Sequence, residues 1–217
     1  MRHILIILFC SISVTILSQN KIIQKLETKA KEIEISTLGL DDFLIENSNT
    51  NFIEIILTVE DLENQQIVFN EEFNLIKIQF KLPDNKLEEL LFRKFITKRL
   101  QRASAIIKVP KNKAITIFGN EINVESKSYK GDLSFFIEKG ILKLHTIQAD
   151  LVVKMYMGSI YAELKKTNVN VACKTGVVKI NGVLVGKNYQ EKEEKSDKKV
   201  IINSAKANIF LTTKKTQ

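Results

Sequence analysis

From Lys113 onward the chain repeats itself every 18 residues, and that period constrains the fold more than any other feature. Ile115, Leu133, Leu151 and Val169 form one column of the repeat, and Ile117, Phe135, Val153 and Val171 form another two residues on. A third column holds Gly119, Ile137, Met155 and Cys173, after which Gly140, Gly158 and Gly176 mark a turn. Beyond the turn come Val124, Leu142, Ile160 and Val178, then Leu144, Ala162 and Ile180. A 13-residue charged insertion, Lys187 to Lys199, precedes a last repeat. There Val200, Ile202 and Ser204 restart the pattern, Ala207 takes the glycine position, and Ile209 and Leu211 complete it.

Period-two alternation marks a strand with one buried face. Two such strands per repeat, joined at a glycine that tolerates positive φ, describe a coil that needs stacked neighbours to satisfy its backbone and inward side chains. An antiparallel sandwich also alternates, but it has no cause to hold an 18-residue register. The expectation is an all-β chain: a β-solenoid, β-helix-like, with coils of about 18 residues over 113–217, the insertion 187–199 being a mobile loop at one corner. Stacking in chain order would bury Val171 between Val153 and Ile202.

Residues 19–112 read as a β-rich N-terminal part, with the boundary near 112, where glycines become frequent. Ile33 and Ile35 alternate with glutamates; Ile53, Ile55, Leu57 and Val59 alternate, as do Ile76, Ile78, Phe80 and Leu82. One short helix is expected at about 84–102, capped by Asp84, from the spacing of Leu87, Leu90, Leu91, Phe95 and Leu100. Its second half carries Arg93, Lys94, Lys98, Arg99 and Arg102, with Lys108, Lys111 and Lys113 following. That run is either an electrostatic patch for an anionic ligand or a solvated face.

Residues 1–18 read as a secretory signal peptide, with Arg2 and His3 before an apolar run from Ile4 to Leu17 and a cut expected ahead of Gln19. Fourteen residues fall short of the roughly 20 that a membrane span needs. Cleavage leaves Cys173 as the single cysteine, so no internal disulfide is expected, and net charge falls from +8 to +7 with the loss of Arg2. An exported basic protein suits anionic glycans, lipid headgroups or another envelope protein as partner; nucleic acid is not expected.

Signals of catalysis are sparse. His145 is the one histidine outside the leader, and the register places it outward beside Lys127, Glu163 and Asn181, where a contact with Glu163 is either a proton-transfer pair or an ordinary surface contact. The adjacent outward column, Glu125, Lys143, Tyr161 and Lys179, lacks the paired carboxylates of glycoside hydrolysis. Lys143, Tyr161 and Lys179 are nevertheless candidate glycan contacts. Glycines spaced at 18 make no phosphate loop, Cys173 faces the core, and no cofactor or metal site is expected.

The string from Ala105 to Ile117 (AIIKVPKNKAITI), followed by strand–Gly–strand units ending in Ala207-Asn-Ile-Phe-Leu211, resembles the exported bacterial "putative adhesin" β-solenoid family over residues 32–213. The resemblance implies a structural or adhesive role at the cell envelope and supplies no catalytic residues. Together these readings lead to a non-catalytic exported scaffold or adhesin-like binding protein. The alternatives are a carbohydrate-binding or carbohydrate-active solenoid and an anionic-surface binder acting through the basic segment.

Overall fold

A computed structural model describes residues 20–59, 66–81 and 103–214. The expected signal peptide, the helix at 84–102 and the basic residues Arg93, Lys94, Lys98, Arg99 and Arg102 lie outside that set. The described residues are all-β and form one mixed 15-stranded sheet.

The 18-residue period is a hydrogen-bonding register. Strands β8 (Ala114–Lys127), β9 (Leu133–Ile147) and β10 (Leu151–Lys165) pair in parallel, with Ile115 opposite Leu133 and Leu133 opposite Leu151. Equivalent aliphatics therefore sit one strand spacing apart, about 4.8 Å. Ile117, Phe135 and Val153 make a second dry column. Each buried Val, Ile or Leu contributes roughly 1.5–3 kcal/mol.

These strands also bend. Leu151, Val153 and Met155 are buried, and so are Ile160, Ala162 and Leu164. Positions 155 and 160 are an odd number apart and would face opposite sides of a flat strand. Both reach one core because the strand turns a corner between them. Gly158 sits there with φ of +131°, and a Cβ on it would lie 2.0 Å from the Gly140 carbonyl oxygen. The glycine column is thus required both by backbone conformation and by the close approach of successive strands.

Chain order and stacking order part company at the C-terminal end. Strand β15 (Lys199–Lys214) pairs in parallel with β10 on one side, Val153 opposite Ile202 and Gly158 opposite Ala207. On its other side it pairs with β11 (Asn168–Cys173) and β12 (Val178–Ile180), Val171 opposite Ile202 and Ile180 opposite Leu211. The last repeat therefore wedges between the two that precede it, and Ile202, not Val171, lies in the middle. The insertion makes this path possible. Strand β13 (Val183–Leu184) doubles back on β12 through Asn181 and Gly182, both at positive φ, as a two-residue hairpin requires. Strand β14 (Asn188–Glu191) then runs antiparallel to β11, with Tyr189 packed against the core. The segment expected to be a mobile loop is in part an edge strand, anchored by the one aromatic residue within it.

Pairing also runs on across residue 112. Strands β2 (Glu32–Ser36) and β3 (Asp42–Asn47) lie parallel to the two halves of β8, Ile33 opposite Ile115 and Phe43 opposite Val124. Beyond them, β6 (Leu75–Lys81) pairs with β2 and β7 (Ser104–Val109) with β3, again in parallel. Antiparallel partners finish this end: β4 (Phe52–Val59) on β7, β5 (Gln66–Glu72) on β6 and β1 (Asn20–Glu27) on β4. The same two-segment rung is present at both ends of the sheet. Only between 113 and 180 is it written at a fixed period.

Candidate functional site

With the inward positions filled by aliphatics, any binding surface lies on outward rows. The row expected to hold a glycan is assembled in altered form. Lys143 is opposite Tyr161, but Tyr161 is opposite Phe210, and Phe210 is opposite Lys179. The wedging of β15 places Phe210 between the two residues read as neighbours. The Tyr161 and Phe210 rings stack with centroids 5.0 Å apart and planes at 12°. Tyr161 remains 44% exposed, so one broad aromatic surface is presented between two lysines.

His145 lies on the surface as expected, with a different partner. A register shift between Ala162 and Leu164 takes Glu163 out of line with it, and its Nε2 instead lies 3.1 Å from Oε1 of Glu125. Both side chains are well exposed, which limits the pair to a surface contact. Cys173 is buried as expected; its Sγ lies 3.0 Å from the Thr175 carbonyl oxygen, and burial pushes its thiol above the ordinary range.

Two of the lysines that continue the basic segment are already engaged. Lys108 donates to Glu54 at 2.7 Å. The Lys113 ammonium donates to the carbonyl oxygens of Ala30 and Thr28, and its burial pulls its pKa down. Only Lys111 of the three is an exposed cation without a partner among the described residues.

A second outward region was not anticipated. An open concavity of about 1010 Å³ is lined by residues that include Phe136, Lys154, Tyr156, Lys174, Lys187 and Asn188, with Ala172, Ser204 and Ala205 among them. Phe136 stacks on Phe118, centroids 5.1 Å apart, and the Lys154 ammonium lies 5.5 Å from the Phe136 centroid. Lys206 lies 5.4 Å from the centroid of Tyr156. The signal for this region was present in the sequence: Phe118, Phe136, Lys154 and Ala172 recur at the same 18-residue spacing as the core, as do Glu138, Tyr156 and Lys174. What the spacing does not show is that Asn203 and Ala205 of β15 enter the middle of these rows and open a trough there. No group of three or more potential metal ligands occurs among the described residues.

No protein-family model matches the chain, and no curated protein matches it. Solved structures do. A "putative cell adhesion protein" from Clostridium sporogenes ATCC 15579 aligns with a TM-score of 0.61 at 12% identity, over 91% of this chain and 100% of that one. A "putative adhesin" from Bacteroides fragilis NCTC 9343 aligns over 91% of this chain and 98% of its own, with a TM-score of 0.30 at 10% identity. A "putative lipid binding protein" from Parabacteroides distasonis ATCC 8503 aligns over 90% and 97%, with a TM-score of 0.28 at 11% identity. At these identities the likeness is one of fold, and the Clostridium protein carries it. No helix among the described residues is long and apolar enough to cross a membrane.

Proposed function

We propose that the stacked rungs form a short β-solenoid, and that the protein is a non-catalytic, exported, adhesin-like binding protein of the cell envelope. The observation that carries this reading is the Tyr161–Phe210 stack, held on the outward row between Lys143 and Lys179 on strands whose other faces are locked into a dry core. A rigid aromatic flanked by hydrogen-bond donors binds without ordering cost and suits the apolar face of a sugar ring. The fold shared with a protein described as a cell adhesion protein supports the same reading.

The test is retention on a neutral and acidic glycan array. Truncating Tyr161 together with Phe210 to alanine is expected to weaken binding about tenfold or more, as loss of an aromatic anchor does. The pair Lys143→Ala and Lys179→Ala is expected to weaken it less. Glycan turnover during the same incubation, or undiminished binding by the aromatic double variant, would count against the proposal.

A further inference from the structure

The trough on the other side of the Gly158 corner is a separate surface with its own chemistry. Some lysines face carboxylates: Lys25 and Lys108 meet Glu54, Lys127 meets Glu46, and Lys139 meets Glu121. The trough gathers lysines that do not. Lys154, Lys174 and Lys187 line it and Lys206 sits at its Tyr156 rim, yet none forms an ion pair among the described residues. Two of the four lie instead near ring centroids. Four unneutralised ammoniums gathered at one concavity raise the local potential for an anion.

We propose that this trough binds an acidic oligosaccharide, with Lys154, Lys174 and Lys187 meeting its carboxylate or sulfate groups and Glu138 accepting its hydroxyls. Three features favour that occupant. The surface is an open concavity, which suits an extended oligomer lying along it better than a flat membrane. Phe136 and Tyr156 are each approached by a lysine, Lys154 and Lys206, so that fixed cations stand beside both rings to meet carboxylate or sulfate groups. Glu138 lines the trough and forms no ion pair among the described residues, and a carboxylate there repels a bare phosphate polymer but accepts from a hydroxyl-rich one. Asn188 and Asn203 add neutral donors and acceptors along the same walls.

The experiment measures binding of the whole chain to oligogalacturonate (carboxylate), dextran sulfate (sulfate), neutral dextran, phosphatidylglycerol vesicles and oligo-dT at two salt concentrations. Wild type is expected to bind at least one of the two acidic glycans, more weakly at high salt, and to ignore neutral dextran. The triple variant Lys154→Ala/Lys174→Ala/Lys187→Ala is expected to lose at least tenfold in affinity, Tyr156→Ala several-fold, and Lys77→Ala/Lys81→Ala, at exposed positions of β6 remote from both surfaces, nothing. All these positions are outward, and an unchanged melting temperature shows that folding is intact. Equal binding by the triple variant and wild type overturns the proposal, as does binding to neither acidic glycan. Vesicles or oligo-dT retained as tightly as the glycans, through the same lysines, overturn the sugar assignment. Failure here with Tyr161-dependent glycan binding intact removes this site alone; the reverse pattern removes the Tyr161 surface alone.

Discussion

Val171 is almost fully buried, with Ile202 opposite it on one side and Tyr189 on the other. An aspartate there places an unpaired charge in an aliphatic column, so Val171→Asp is expected to cost about 3 kcal/mol or more and to leave little folded protein in a thermal melt. Lys179→Asp, on the outward face of the same rung, is expected to stay within about 0.5 kcal/mol. A second expectation concerns acid stability. The hydrogen bond from Lys108, outweighing desolvation and joined by Lys25, holds the Glu54 carboxyl below its ordinary value of 4.5. Its contribution is therefore complete above that value and is lost as pH falls through the lowered one. Glu54→Gln is expected to flatten the acid limb of a melting-temperature profile. The loss at neutral pH should be no more than about 1 kcal/mol, because the pair is near the surface.

At the scale of elements, the sequence and the structure agree wherever one rung repeats the last without interruption. Ile115, Leu133 and Leu151 could be aligned from spacing alone, and so could the glycine corner and the inward aim of Cys173. The order of the final rungs could not. Periodicity reports that Val169 and Val200 are equivalent, but equivalence is silent on which one lies against Leu151. The chain reaches β15 by the antiparallel return through β14, anchored by Tyr189 within the segment expected to be a mobile loop. Likewise β2 and β3 fill one rung and β6 and β7 another, but the 21 residues between 82 and 102 separate the halves of the latter and destroy any period. The candidate site suffered most, since Phe210, Asn203 and Ala205 all arrive on the wedged strand. Paired cysteines discriminate the two orders in a Cys173→Ala background. Val152 and Ile201 are direct neighbours, about 4.8 Å apart as adjacent strands require, and Val152→Cys/Ile201→Cys is expected to form a disulfide under mild oxidation. Val152→Cys/Asn170→Cys, two strands apart at about twice that spacing, is expected to stay reduced.

For the whole described sheet, the wedge makes stability depend on β15. In an ordinary repeat array the terminal unit contacts only its neighbour, and its removal leaves the rest standing. Here β11 and β12 reach β10 only through β15. A chain ending at Lys198 is therefore expected to lose the cooperative melt of the full chain, with β11 to β14 rapidly digested by trypsin and β8 to β10 left with an open edge. A truncated chain with an undiminished melting temperature would refute this arrangement.

The same wedge gives the two ends of the described chain unlike mechanical characters. Strand β1 lies at the sheet margin and pairs, among the described residues, with β4 alone, so a pull on it peels one hydrogen-bonded ladder from its end. Strand β15 is hydrogen-bonded along both flanks to parallel neighbours, and a pull along its axis must shear both ladders at once. Pulled from both ends, the sheet is therefore expected to yield at β1 before β15.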